Sequence, residues 1–299
     1  MSKVIFLKPY LVEKIWGAQN LQQFYYDLGD KKIGEAWVIS AIPNKSSLIT
    51  STPFRGITLS DFFQKHPEWF DHYESASYPL LAKILDCNDD LSVQVHPTKQ
   101  YQSQFPTATE KNEAWFVLGA QKDSSIIYGH NAKNKDELIN FVKNNAWDQL
   151  LCKVNAKPND LFYVPSGTLH ALGRGLVIYE IQQASDVTYR LFDYRRNREM
   201  NVQEALDNIN VPFITPHFQS DGNTLVDSKE FSLARIQNRG AHHYRFPLAR
   251  WIQATVIAGE GKLGWCKKIH KGDNFILKSN IKKFKLHGNV ELLISYIKK

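Results

Sequence analysis

Apolar residues in this chain recur in short runs rather than long ones. EAWVIS, LSVQVHP, EAWFVLGA, SSIIYGH, DLFYVPSG, GLVIYEIQQ, FSLARI, ATVIAGEG and NFILKS are of strand length, alternating or wholly apolar, and set off by Gly, Pro, Asn or Asp. That pattern predicts strands joined by turns. So many turn-bounded strands, with no glycine-rich phosphate loop between a strand and a helix, favour a sandwich or jelly roll over βαβ units. Helical signals are fewer. TLSDFFQKHPEWF opens with Thr58 or Ser60 as an N-cap. NKDELINFVKNNAWDQLL places Leu138, Ile139, Phe141 and Val142 at helix-face spacings, and EALDNIN is a third short candidate. A faint internal echo links KPNDLFYVPSGTLH at 157–170 with KGDNFILKSN at 271–280. Either two related β modules exist and only the first keeps a site, or a common turn–Asp–strand arrangement has arisen twice by chance.

The chain has 299 residues, 43% of them hydrophobic, enough for one large domain or two. No stretch approaches the roughly 18–20 apolar residues that span a bilayer. The N-terminal MSKVIFLKPYLVEKIWG is broken by Lys8 and Pro9 and shows no small-residue cleavage site, so no secretory signal is expected. Cys87, Cys152 and Cys266 are far apart and odd in number, which implies no disulfide framework and points to a reducing compartment, the cytoplasm. The net charge is +7, but the lysines are scattered, with mild clusters at Lys267–Lys268, Lys282–Lys283 and Lys298–Lys299. No basic run is interleaved with aromatics, so the expectation is a solvated surface, with neither nucleic acid nor membrane as partner.

Four segments carry candidate chemistry. In LSVQVHP, the period of two puts Ser92, Gln94 and His96 on one strand face and Val93 and Val95 on the other. Such a face lines a cavity or meets solvent with an incidental histidine. In EKNEAWFVLG, Lys111 and Glu113 share a face if the strand extends that far; a surface ion pair is the plainer reading. NDLFYVPSGTLHALG places Pro165, Gly167 and His170 as P-x-G-x-x-H after an aromatic strand, a spacing that resembles the second metal motif of cupins. The motif's leading glycine is Asn159 here, a residue that tolerates the left-handed conformation. Cupin metal sites combine this histidine with a histidine and a glutamate from the first motif, which His96 and Glu113 supply, while Gln94 adds an amide oxygen. Nitrogen and oxygen donors without thiolate suit a catalytic zinc. Finally, Arg190 lies in the otherwise apolar and aromatic run around VTYRLF. It either faces an anionic or enediolate-like species or pairs with Asp186 or Asp193.

Taken in order, YPLLAKILDCNDDLSVQVHP, EKNEAWFVL and PSGTLHALGRGLVIYEIQQASDVTYRLFDYRR resemble the type I mannose-6-phosphate isomerases, most of all their short bacterial branch. IGEAWVIS and Trp16–Gly17 fit as well. The resemblance runs over roughly residues 1–210, and the segment 215–299 is only loosely similar to the family's C-terminal β domain. It implies a mainly β protein: a cupin or jelly-roll β-barrel with a few short helices over residues 1–214, and a second, smaller cupin-like β module over 215–299. It also implies interconversion of mannose 6-phosphate and fructose 6-phosphate through an enediol, with one zinc per chain, by a monomer or small homo-oligomer. The family's metal positions fall on Gln94, His96, Glu113 and His170, its catalytic arginine on Arg190 and its motif lysine on Lys111. Lys83 and Ser92 fall on positions linked to substrate or phosphate. Zinc would polarise the sugar oxygens and Arg190 would stabilise negative charge. Either Lys111 or Glu113 would move the proton. Two departures stand out: Thr98 or Lys99 replaces the acidic residue after VHP, and Glu110 replaces a glycine. The other readings are a different metal cupin, such as an iron or manganese dioxygenase, or a non-enzymatic sugar-binding protein.

Overall fold

A computed structural model describes residues 3–217, 222–264 and 267–299. Cys266 lies outside them. The chain is mainly β, with nineteen strands and a few short helices among the described residues, and every strand pairing is antiparallel. The strands form three sheets that are not closed into one barrel. A six-stranded sheet runs in the order 161–164, 113–120, 176–183, 80–87, 33–39, 10–18. A five-stranded sheet runs 189–192, 93–95, 170–172, 125–130, 151–155. The third, of eight strands, draws most of its strands from residues 224–296 and takes in Val4–Lys8 and Leu48–Ile49 as well.

The first two sheets form a sandwich, and alternation along their strands shows why. On Leu80–Cys87 and Glu113–Ala120, Leu85, Trp115 and Val117 point inward and meet Leu91, Ile126, Tyr128 and Leu172 of the opposite layer. Their neighbours Ala82, Ile84, Ala114 and Phe116 point the other way, into a second core shared with Trp251, Ile276 and Leu293 of the large sheet. Both faces of the six-stranded sheet are therefore buried, which accounts for its near-continuous apolar runs. The outer face of the five-stranded sheet, carrying Val93, Val95, Ala171 and Leu191, is covered by Leu138, Leu150, Ala205 and Leu206 from the helices.

The helices follow their caps. Leu59–Lys65 begins at Thr58, whose hydroxyl accepts from Asp61 N at 3.0 Å. The pattern over 134–151 yields two helices, Lys135–Lys143 and Trp147–Leu150, because Asn145 turns the chain at φ 52°. Lys99–Gln104 is a helix that hydrophobic periodicity does not announce. Thr98 caps it through Tyr101 N at 3.2 Å, so the departure after VHP is a cap in place of an acid.

The internal echo is a shared turn. Lys157 N donates to Asp160 Oδ2 at 2.9 Å and Val117 N to Asp160 O at 2.9 Å. In the same way His270 N donates to Asp273 Oδ2 at 2.9 Å and Val256 N to Asp273 O at 2.9 Å. The left-handed residue is Asn159 (φ 75°) in the first copy and Gly272 (φ 93°) in the second. The copies differ in one steric respect: a Cβ at Gly272 would stand 1.9 Å from Phe24 O, a backbone atom that cannot step aside. Gly272→Asn, although Asn serves at the equivalent position, is therefore expected to lower stability by about 3 kcal/mol. Urea unfolding followed by tryptophan fluorescence checks this. A midpoint equal to that of the parent would show that the turn is not under this constraint.

Candidate functional site

Strand register assembles the site from both layers of the sandwich. In the five-stranded sheet Gln94 pairs with His170 on one side and with Arg190 on the other, so three side chains far apart in sequence form one cross-strand row. Ser92 and Gln94 face the cavity while Val93 and Val95 enter the core, as the period of two requires. His96 follows the strand and is buried. The Pro165–Thr168 turn, closed by Thr168 N donating to Pro165 O at 3.1 Å with Gly167 at φ 81°, delivers His170. Glu113 and Lys111 enter from the six-stranded sheet and the loop before it.

His96, Glu113 and His170 are the cluster of possible metal ligands among the described residues, with one donor atom from each lying within 4.8 Å of the others. Glu113 Oε2 is 3.1 Å from both His96 Nε2 and Lys111 Nζ, and Oε1 is 3.5 Å from His170 Nε2. Yet neither Glu113 oxygen nor either His96 nitrogen has a hydrogen-bond partner, although all are buried. Polar atoms this close, this deep and without bonding directions between them fit a cation as their common partner. Burial, then the charge of Lys111, pushes the His96 pKa down to about 3, so its ring is neutral and its lone pair free. Burial also lowers His170. Its Nδ1 is 2.8 Å from Thr168 O, which only accepts, so the proton sits there and Nε2 carries the lone pair toward the cluster. Burial would raise the Glu113 carboxyl, but the Lys111 ammonium outweighs it and holds it well below the usual carboxylate range. The Gln94 amide nitrogen lies 3.3 Å from His170 Nε2, and its oxygen accepts from Ser92 Oγ at 3.5 Å, so the side chain borders the cluster.

The cluster borders a cavity of about 330 Å³ lined by Lys83, Ser92, Gln94, Lys111, His170 and Arg190 among others. Arg190 is not spent on either of the acids beside it in sequence. Asp186 pairs with Lys45 at 2.5 Å, and Asp193 holds Arg196 and Arg198 at 2.9 and 2.5 Å. Arg190 Nε instead donates to Ser92 Oγ at 3.2 Å and Nη1 to Glu199 O at 2.5 Å, and no carboxylate pairs with it among the described residues.

Sequence reasoning missed Glu35 and Glu180. Lys83 is a buried ammonium 2.9 Å from Glu180, its direct cross-strand neighbour, and Trp37 and Trp115 flank the pair in the same row. Trp37 Nε1 donates to Glu35 Oε2 at 2.6 Å and Trp115 Nε1 to Glu180 Oε2 at 3.2 Å. The signal was available: a glutamate inside IGEAWVI or LVIYEIQQ is as anomalous as an arginine inside VTYRLF.

Burial raises the Glu35 carboxyl, but Lys83 and Lys14 overcome it and bring the pKa to about 2, below the model-peptide 4.5. A depressed carboxylate stabilises the fold above its unfolded pKa and ceases to do so as pH falls toward the folded one. The destabilisation caused by Glu35→Gln is thus expected to be fully present above pH 4.5 and to shrink between there and about pH 2. Urea midpoints of parent and variant across that range check it, and a gap that widens on acidification would reverse the sign.

The family described as "Phosphomannose isomerase type I, catalytic domain" matches residues 5–124. The mannose-6-phosphate isomerase ManA of Bacillus subtilis (strain 168) is 37% identical, with 99% of each chain covered. The mannose-6-phosphate isomerase of Streptococcus mutans serotype c is 36% identical over 99% of each chain. The crystal structure of the mannose 6-phosphate isomerase from Bacillus subtilis superimposes with a TM-score of 0.92 at 34% identity, covering 99% of this chain and 100% of that one. A phosphomannose isomerase variant from Salmonella typhimurium shares the fold, with a TM-score of 0.82 at 15% identity over 100% of both chains. At 37% identity along essentially its whole length, the chain belongs to the type I phosphomannose isomerases.

Proposed function

We propose that the protein interconverts mannose 6-phosphate and fructose 6-phosphate through an enediol, with one zinc ion per chain, in the cytoplasm. The observation that carries this is the set of buried donor atoms on His96 and Glu113 that lack a hydrogen bond, beside a polar cavity whose Arg190 has no carboxylate partner among the described residues. Gln94, His96, Glu113 and His170 would hold the ion. When bound, zinc would supply Lewis-acid polarisation of a substrate oxygen.

The remaining chemistry falls to side chains facing the cavity. Lys14 and Glu35, Lys83 and Glu180, and Arg198 and Asp193 neutralise one another in pairs. Arg190 is left as the cation available to an anion, and Ser92 Oγ fixes its guanidinium from one side. Arg190 stabilises the negative charge that develops as the enediol forms. Lys111 moves the proton between C1 and C2. It lines the cavity, whereas the Glu113 oxygens are shut behind it, and this favours Lys111 over Glu113 for the task. Ser92 and Lys83 contact the substrate, Lys83 with its ammonium held in place by Glu180. The chain divides into a catalytic module, 1–214, and a smaller cupin-like module, 215–299.

A coupled assay is expected to show turnover of mannose 6-phosphate that chelator abolishes and zinc restores. Lys111→Met is expected to lower kcat by about 10²–10⁴-fold, and Arg190→Ala by about 10²–10³-fold. Unchanged turnover in Lys111→Met removes that residue from the mechanism. No activity on mannose 6-phosphate, or full activity after complete metal removal, overturns the assignment.

A further inference from the structure

The scattered lysines of the C-terminal part are gathered by strand register onto one surface. Residues 232–299 hold fourteen Lys and Arg against three Asp and Glu, a net +11, whereas the entire chain is +7, so residues 1–231 are net −4. The basic excess is therefore a property of this sheet and not of the protein as a whole. On its strands Leu263, Ile269, Phe284 and Leu286 point into the core. The alternating positions Lys262, Lys268, Lys285 and His287 occupy the opposite face.

The pairing on that face is electrostatically adverse. Lys262 stands directly across from Lys268 on one side and from His287 on the other. Arg245 faces Lys283. Like charges directly opposite destabilise a sheet. Among the described residues none of these lysines or Arg245 is paired with a carboxylate, since Glu291 is taken by Arg235 and Asp273 approaches only His270. Lys262, Lys268, Lys285, His270 and His287 surround a cavity of about 690 Å³ in which Glu260 is the one acidic side chain among the described lining residues. A concave surface that concentrates three lysines against one carboxylate is complementary to an anion, and the number of donors calls for several negative charges rather than one.

We propose that this cavity in the C-terminal sheet is a second ligand site, distinct from the catalytic cavity, that takes a small multiply phosphorylated anion. Its concavity favours a small ligand over an extended surface, and no aromatic side chain among the described lining residues offers a platform for bases. The site does not depend on the isomerase assignment.

The test is calorimetric titration of the full-length protein with inorganic tripolyphosphate at low and moderate salt. The double variant Lys262→Glu/Lys268→Glu and the variant Arg190→Ala are titrated in parallel. The expected result is saturable, salt-weakened binding that drops by about tenfold or more in the double variant and persists in Arg190→Ala. Turnover of mannose 6-phosphate by the double variant is expected to match the parent. Because the substitutions exchange the opposed Lys262–Lys268 pair for an opposed pair of glutamates, one like-charge pair for another, the double variant is also expected to melt close to the parent. Absence of saturable binding overturns the proposal, as does binding that survives in the double variant. Retention on RNA or on anionic phospholipid vesicles with no response to tripolyphosphate overturns the choice of a small ligand.

Discussion

The arrangement turns on one buried carboxylate. Glu113 is 1% exposed, and an ionised carboxyl in such a place costs several kcal/mol unless its charge is met. Its charge is met by Lys111 in the loop before its strand, and two imidazoles converge on it, His96 at the end of the Val93–Val95 strand and His170 on the strand after the Pro165–Thr168 turn. Two of these come from the opposite layer of the sandwich. The packing of the two sheets therefore brings donors from both layers together around this carboxylate. The convergence is also incomplete in hydrogen-bonding terms, since the Glu113 oxygens and the His96 nitrogens are close without being bonded. That residual mismatch is what separates a ligand set from a structural ion-pair cluster.

A second buried charge system supports the first. Lys83 and Glu180 are cross-strand neighbours sealed between Trp37 and Trp115, and Glu35 lies close enough for its charge to raise the lysine pKa. Breaking a pair of this kind by removing one partner typically costs about 3–5 kcal/mol. The pair is therefore stiff, and the cavity wall it forms does not rearrange to suit a ligand. The indole N–H groups contribute by satisfying carboxylate oxygens that face no water. The cavity is polar through rigid, prepaired charges, and Arg190 is the exception, a guanidinium with no carboxylate partner among the described residues.

Much of this was legible because it rests on short-range periodicity. Ser92, Gln94 and His96 against Val93 and Val95 is a period-two statement, and the Pro165–Gly167–His170 spacing is a turn statement. Both follow from local backbone geometry. The Thr58 cap is equally local. What escaped depends on which strand lies beside which. Lys83 and Glu180 are 97 residues apart and meet through the register of Leu80–Cys87 with Leu176–Gln183, which no local pattern encodes. The same holds for the basic surface, where Lys262, Lys268 and His287 look scattered until three strands align them. The pattern over 134–151 divides into two helices at Asn145, and a left-handed asparagine leaves no mark in hydrophobic periodicity.

The repeated turn shows how one local device can serve two ends. In both copies an aspartate caps the turn from within and its carbonyl accepts from the neighbouring strand, so the turn is self-sufficient and owes nothing to a metal. What differs is where the following strand leads. After Leu161–Val164 the chain enters the Pro-Ser-Gly turn, which swings His170 back into the sandwich. After Asn274–Leu277 it is tied down by docking contacts: Lys278 N bonds Lys3 O, Ser279 N bonds Trp69 O, and Ser279 Oγ bonds Glu68 O. The same segment that presents His170 in the first copy is spent in the second on anchoring the chain's N-terminal strand and the short helix at 67–69. Gly272, pressed against Phe24, belongs to that anchoring too. The second copy cannot regain a ligand at the position of His170 without giving up the contacts that hold the two ends of the chain together. The confinement of the donor set to the first copy thus follows from packing.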